Sequence, residues 1–100
     1  MVTNAVRPRW AEFGSMLAAW RRMAGLTQAE FAILIGKSKG YTYQLESGRV
    51  RPPLNRERVD LIAQALGVNG AAVWEASVEF GTPEDVRDYW RDGKPGEVTD

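Results

Sequence analysis

The sequence predicts an all-α fold, with five helices around one core and a further short helix near residues 83–91. Apolar residues recur every three or four positions, capping residues open these segments, and glycines or prolines close them. No long stretch alternates between apolar and polar residues, which is the pattern of a half-buried strand. With 100 residues, 44% of them hydrophobic, the chain is large enough to fold as one packed domain.

The first two helices are predicted from an apolar stripe and a capping box. Five residues on one face predict a helix over residues 12–24: Phe13, Met16, Leu17, Trp20 and Ala24. Thr27 and Glu30 stand three positions apart, where each side chain can accept a hydrogen bond from the other residue's backbone N–H. The second helix therefore begins after Thr27 and ends at Gly36.

The next three helices are delimited in the same way. Ser38 caps a third helix that runs to about Ser47 and is closed by Gly48. Two consecutive prolines then end the helical pattern. Asn55 caps a fourth helix with one apolar face: Val59, Ile62, Ala63 and Leu66. The fifth helix is predicted over residues 71–77.

The segment 82–85 predicts the start of the sixth helix, because a capping Thr is followed by Pro and two acids. Val86, Tyr89 and Trp90 form the apolar stripe of this helix. Large aromatic side chains are unfavourable when exposed. We therefore expect this helix to cover the core, to form a dimer interface, or to bind another protein.

The formal net charge of zero hides two oppositely charged parts. Residues 1–58 contain ten Lys and Arg against four Asp and Glu, a net charge of +6. Residues 59–100 contain three against nine, a net charge of −6. A basic part of this size is compatible with a nucleic-acid partner. We predict one domain over residues 1–77, with its core over about 12–77, and a C-terminal extension over residues 78–100.

The composition excludes several kinds of site. Without Cys or His there is no disulfide, no Cys/His zinc site and no thiol or imidazole catalyst, and no cofactor or metal is predicted. No apolar run approaches the roughly 18 residues of a membrane span, and no signal peptide is recognised, so we expect a cytoplasmic protein. Four acidic neighbours lack a nucleophile or phosphate loop beside them, so no enzyme is predicted: Glu79, Glu84, Asp85 and Asp88.

The strongest functional signal lies in residues 28–48. Two helices of about eight residues are separated by a turn that begins with Gly36, and the small Ala32 stands four positions before it. The glycine allows a left-handed backbone conformation, and the alanine lets the second helix approach closely. Leu45 is placed to pack the second helix onto the first. This spacing predicts a helix-turn-helix.

The sequence resembles the Cro/repressor (XRE-like) helix-turn-helix family over residues 13–77. The matching positions are Leu17-x-x-Trp20-Arg21-x-x-x-Gly25-Leu26-Thr27-Gln28-x-Glu30-Phe31-Ala32, Gly36-x-Ser38-x-x-Tyr41-x-x-x-Leu45-Glu46-x-Gly48-x-x-x-Pro52 and Ile62-Ala63-x-Ala65-Leu66-Gly67-Val68. The resemblance implies a compact, five-helix, lambda-repressor-like domain. It also implies binding to operator DNA, usually as a dimer.

The resemblance and the exposed positions of the third helix indicate which residues contact DNA. The predicted contact residues are Gln28, Lys37, Ser38, Lys39, Tyr41, Tyr43, Gln44, Arg49, Arg51 and Arg56. Lys39 and Gln44 fall on base-reading positions of the family, and Lys can pair with guanine and Gln with adenine. Gln28 falls on a phosphate-contacting position at a helix N-terminus.

Other positions have structural roles or depart from the family pattern. Arg21 and Glu46 match a family salt bridge, although Arg21 is also placed to contact phosphate. Tyr41 is expected either to pack against the protein or to contact phosphate. Gly40 has no side chain where the family often reads a base, and Thr42 places a hydroxyl where the family usually has Ile or Val. The base preference therefore cannot be copied from a relative.

These patterns predict a sequence-specific DNA-binding transcription regulator of phage or prokaryotic type, most simply a repressor. We expect it to bind double-stranded, palindromic operator DNA as a homodimer through the third helix. The alternative is an antitoxin or protein-interaction module that regulates its own operon and binds a protein partner through the acidic C-terminal segment. No membrane partner is expected.

Overall fold

The computed structural model describes residues 9–83 and Arg87, and within these residues all regular structure is helical. The five helices are α1 (Trp10–Met23), α2 (Gln28–Leu34), α3 (Lys39–Glu46), α4 (Arg56–Leu66) and α5 (Gly70–Gly81). The predicted all-α fold with five helices is confirmed. The apolar stripe of the predicted sixth helix, formed by Val86, Tyr89 and Trp90, lies outside the described residues.

Side-chain caps begin α2, α3 and α4 at the residues predicted from the sequence. Thr27 Oγ1 accepts a hydrogen bond from the Glu30 backbone N–H at 3.0 Å, and Glu30 Oε1 accepts one from the Thr27 N–H at 2.9 Å. Ser38 and Asn55 cap the next two helices with hydrogen bonds of 3.1 and 2.9 Å. Asn69 caps α5 by accepting from two backbone N–H groups of its first turn.

Two helix ends differ from the predicted positions. α1 begins at Trp10, two residues earlier than predicted, and α5 continues to Gly81. The prediction that the fifth helix ends near Ser77 was wrong. Val78 is completely buried, and its carbonyl accepts a hydrogen bond from Thr82 Oγ1 at 2.6 Å. Burial of this next apolar residue therefore outweighs the modest helix propensity of Ser and Val.

One core joins the five helices, and it holds α3 on two sides. The largest completely buried apolar side chains come from every helix: Phe13, Leu17, Phe31, Leu45, Val59, Ile62, Val73 and Val78. α4 packs against α5, whereas α3 packs against both α1 and α2. The remaining face of α3 is left exposed.

Close backbone contacts fix α3 and the loop that follows it. α1 crosses α3 at Gly14, where an added Cβ atom would collide with a backbone carbonyl at the end of α3. Gly48 has a φ of +78°, and a Cβ atom there would lie 2.6 Å from the Cα atom of Ala11. Pro52 is buried against Gly81 of α5. The loop between α3 and α4 is thus held between α1 and α5.

Candidate nucleic-acid interface

α2 and α3 are short helices joined by a tight turn that determines how α3 is presented. α2 spans 7 residues and α3 spans 8. Gly36 has a φ of +69°, a left-handed conformation in which other residues are strained. The Lys37 backbone N–H donates to the Ala32 carbonyl at 2.9 Å, which closes the turn. This local geometry is that of a helix-turn-helix.

α3 has one buried face and one exposed face. Thr42 and Leu45 are completely buried. Five of the predicted contact residues are exposed on α3 and the turn before it: Lys37, Ser38, Lys39, Tyr43 and Gln44. An α-helix fits the major groove of B-DNA and can present such side chains to the base edges.

Arg21, Gln28 and Glu46 form one hydrogen-bonded cluster between α1, α2 and α3. Arg21 Nε and Nη2 donate to the two carboxylate oxygens of Glu46 at 2.5 and 3.1 Å, and Arg21 Nη1 donates to the Leu26 carbonyl at 2.8 Å. The side chains of Arg21 and Glu46 are only 11% and 7% exposed. The hydrogen bond to Glu46 raises the pKa of Arg21, so the guanidinium remains charged at any ordinary pH.

Gln28 has a partner that the sequence did not indicate. Its side-chain Nε2 donates to Glu46 Oε1 at 3.0 Å, whereas the family resemblance implied a phosphate contact at this position. A side-chain amide has two N–H donors, so one donor remains for a further acceptor. The sequence offered no signal for this contact, because it depends on how α2 and α3 pack.

The predicted contact residues of the following loop and of the start of α4 stack on aromatic rings. The guanidinium carbons of Arg49, Arg51 and Arg56 lie 5.7, 5.9 and 4.7 Å from the ring centroids of Tyr43, Trp10 and Trp74, respectively. All three arginines are exposed, and within the described residues none of them forms an ion pair with a carboxylate. The attraction to the ring orients the guanidinium group without neutralising its charge, so the group can still bind an anion.

Tyr41 is the residue of α3 whose ring lies near the first turn of α4. It is half-buried and packs against the core. Lys37 Nζ lies 5.5 Å from its ring centroid, and the guanidinium carbon of Arg58 lies 6.0 Å from it. Arg58 was not among the predicted contact residues. Its place in the first turn of α4, beside the arginine-rich loop, was the signal that could have found it.

A shallow groove of about 330 Å³ lies beside α1 and α3. Its lining consists of Ser15, Ala18, Arg22, Gln28, Tyr43, Glu46 and Ser47. Arg22, which the sequence did not single out, thus shares a surface depression with two predicted contact residues. The groove is open to solvent rather than enclosed, unlike a typical small-molecule pocket.

Other kinds of site are not found in the part of the chain that the structure describes. No group of three or more acidic residues is placed to hold a metal ion there. None of the described helices is long and apolar enough to cross a membrane.

The geometry agrees with comparisons to known proteins. A family model described as a helix-turn-helix domain matches residues 12–75 of the sequence. The chain belongs to this helix-turn-helix family. A search of curated proteins gives no match. Among solved structures, the clp gene regulator ClgR from C. glutamicum is similar, with 31% sequence identity and a TM-score of 0.56. The alignment covers 71% of this chain and 88% of ClgR.

The family match confirms the helix-turn-helix that the spacing of residues 28–48 predicted, and it confirms the family resemblance. In a helix-turn-helix domain, the second helix of the pair is the one that enters the major groove. In this domain that helix is α3. Its exposed side chains are therefore the candidates for base contacts, and Arg49, Arg51 and Arg56 are the candidates for phosphate contacts.

Proposed function

We propose that this helix-turn-helix protein is a sequence-specific transcription regulator that places α3 in the major groove of operator DNA. The exposed face of α3, on a helix held by α1 and α2, is the observation that carries the proposal. Lys39 pairs with a guanine edge, and Gln44 pairs with an adenine edge. Tyr43, 49% exposed, contacts a sugar or a thymine methyl group beside them. The similarity to a gene regulator supports the regulatory role.

Contacts to the DNA backbone position this helix. The remaining amide hydrogen of Gln28 and the N-terminus of α2 contact one phosphate. Arg49, Arg51 and Arg56 contact phosphates on the other side of α3, where aromatic rings already orient their guanidinium groups. Such contacts set the register of the protein on the duplex without selecting a sequence.

The protein acts as a homodimer on a palindromic operator, and it represses transcription by occupying promoter DNA. Two-fold symmetry places both copies of α3 on one face of the duplex, with half-sites about 10 base pairs apart. A second copy of α3 adds contact area and base contacts, which raises both the affinity and the specificity of binding.

Selection of bound DNA from a random pool, followed by fluorescence anisotropy, tests the proposed function. We expect one recovered half-site, repeated with two-fold symmetry, and affinity that falls steeply with salt. Gln44→Ala should lose about 1–3 kcal/mol of discrimination at one base position per half-site. Arg51→Ala is the matched control, since it should weaken all sequences about equally. Binding without any preference for the recovered sequence would contradict the proposal.

A second candidate function is that of an antitoxin or interaction module whose helix-turn-helix regulates its own operon. The net charge of −6 in residues 59–100 favours it, because an acidic segment suits a basic protein partner. A pull-down from the native host distinguishes the two candidates. A stoichiometric basic partner supports the second, whereas intact operator binding with no such partner supports the plain regulator.

A further inference from the structure

We propose that Lys37, Tyr41 and Arg58 form a binding site for the DNA phosphate backbone, distinct from the base-contacting face of α3. This inference rests on the proposed function and deepens it, because it assigns a role to Arg58 and one common site to three residues from three elements. Lys37 comes from the turn, Tyr41 from α3 and Arg58 from α4.

Tyr41 is the fixed centre of this site. Its ring packs against the core, and its backbone N–H donates to Ser38 Oγ at 3.1 Å. Within the described residues, no hydrogen bond engages the Tyr41 hydroxyl. A hydroxyl that is held in place and has no partner can donate to a phosphate oxygen.

Two cations are gathered around the same ring. The Lys37 ammonium lies 5.5 Å from the ring centroid, and the Arg58 guanidinium lies 6.0 Å from it. The backbones of both residues are also fixed. The Lys37 N–H donates to the Ala32 carbonyl at 2.9 Å, and the Arg58 N–H donates to Asn55 Oδ1 at 2.9 Å. Ordering these flexible side chains before binding reduces the entropy lost on contact with DNA.

The charges of these two cations are not neutralised by the protein. The ion pairs of the described residues belong to Arg9, Arg21 and Arg87, and neither Lys37 nor Arg58 takes part in one. A phosphodiester offers only acceptor oxygens and a negative charge. An ammonium, a guanidinium and a hydroxyl supply the matching donors. Only Ser38 separates Lys37 from the first residue of α3. The DNA strand that reaches this site is therefore the strand whose backbone runs beside α3.

Operator DNA carrying one neutral methylphosphonate at a time tests the site, with affinities measured by anisotropy on the DNA recovered by selection. We expect the wild-type protein to lose affinity at one or two adjacent positions of one strand. In Arg58→Ala, neutralising those same phosphates should cost less affinity than in the wild-type protein, because one of the two cations of the site is gone, and the slope of log affinity against log salt should be smaller by about 1. Lys37→Ala should behave in the same way.

Arg9→Ala is the charge-matched control. Arg9 lies over the Phe80 ring but, unlike Lys37 and Arg58, it forms ion pairs with Glu12 and Glu79, so its removal should leave the salt slope and the methylphosphonate pattern unchanged. If Arg58→Ala retains both the wild-type slope and the wild-type pattern, the site is overturned while the proposed function stands. If the wild-type protein binds no selected DNA, the proposed function fails and the site with it.

The Tyr41 ring positions the two cations and its hydroxyl contacts the phosphate, and two substitutions separate these roles. Tyr41→Leu should weaken binding to all sequences, because both cations lose their common partner. Tyr41→Phe should recover the part of the lost affinity that comes from orienting the cations, and its remaining deficit measures the contact of the hydroxyl. Thermal unfolding of each variant identifies any loss of folded protein. Equal affinities for the Leu and Phe variants, both folded, would overturn the positioning role.

Discussion

At Thr42, a hydroxyl is buried in the core without a hydrogen-bond partner. The residue is 0% exposed, and Oγ1 has no partner within the described structure. Burying an unpaired hydroxyl is unfavourable, whereas a methyl group of the same shape would gain from burial. We therefore expect Thr42→Val to raise the free energy of unfolding by about 1 kcal/mol. Urea and thermal unfolding, followed by circular dichroism, measure the change.

Thr27→Val is the matched control for this prediction, because the same atoms change at a position where the hydroxyl is used. Thr27 Oγ1 caps α2, and losing such a cap costs about 1 kcal/mol of stability. The two substitutions should therefore have opposite signs. If Thr42→Val destabilises the protein as much as Thr27→Val, then Thr42 Oγ1 has a partner in solution and its assignment as an unpaired group is wrong.

Some contacts between individual residues can be predicted from the sequence, and others cannot. The salt bridge between Arg21 and Glu46 is predictable because both positions belong to a recurring family motif. No such motif predicts the hydrogen bond from Gln28 to Glu46 or the stacking of Arg58 on Tyr41. They depend on the distance between two helices at one point, and that distance results from packing of the whole core.

At the scale of the helices, Gly14 sets how closely α1 and α3 cross. Helix propensity alone predicts that Gly14→Ala stabilises α1 by up to about 1 kcal/mol. The structure predicts the opposite, because an added Cβ atom would lie 2.7 Å from the Leu45 carbonyl oxygen and would also meet the backbone of the next residue. We expect a loss of about 1–3 kcal/mol, with weaker DNA binding as α3 shifts. Unfolding curves and operator affinity measure the two effects.

Gly40→Ala provides the comparison, since Gly40 lies in α3 and has only Ser38 Oγ, at 3.7 Å, near the position of an added Cβ. Here propensity should dominate, and stability should rise by up to about 1 kcal/mol. The pair thus distinguishes a steric contact between helices from a local backbone effect. A stable Gly14→Ala variant with unchanged operator affinity would show that α1 and α3 can separate without consequence.

Helix starts were predictable from the sequence to the extent that local chemistry determines them. Ser38 and Asn55 cap α3 and α4 through a side-chain oxygen that accepts from the backbone N–H three residues later. Such a contact is local, so the sequence around it is enough to predict it. The end of α5 was not predictable in this way. Val78 extends that helix through burial against other elements, and no local pattern around Ser77 contains that information.

For the whole molecule, the arrangement of charge matters more than the net charge of zero. Residues 28–48, the helix-turn-helix, contain only two acids, Glu30 and Glu46. Glu30 is used in the cap of α2, and Glu46 is bonded to Arg21 and Gln28. Both acids of the helix-turn-helix are therefore hydrogen-bonded within the protein, whereas its two lysines, Lys37 and Lys39, are exposed. We expect such a surface to attract DNA, and the excess of acids in residues 59–100 to face away from the duplex, to limit non-specific binding, or to meet a partner.

The proposed dimer should raise the affinity for a palindromic operator, because its two copies of α3 bind as one tethered unit. The sequence places Tyr89 and Trp90 together on the predicted C-terminal helix, where covering the core, forming a dimer interface and binding another protein are all open, and a substitution distinguishes these roles. If they form the dimer interface, the double substitution Tyr89→Ser, Trp90→Ser should give a monomer in light scattering. Affinity for a full palindrome should fall by about 10²–10⁴-fold toward that for a single half-site, because the second contact is no longer tethered.

Met23→Ser is the control for the loss of an exposed apolar side chain, since Met23 is 82% exposed on α1, and this variant should remain dimeric. The half-site affinity of the double variant should stay at the wild-type value, because α3 is untouched. A double variant that remains dimeric but unfolds at a lower temperature would instead mean that Tyr89 and Trp90 cover the core. Loss of a protein partner, with dimerisation and stability unchanged, would assign them to an interaction segment. The three roles are distinguished because mass, unfolding temperature and partner binding respond to different contacts.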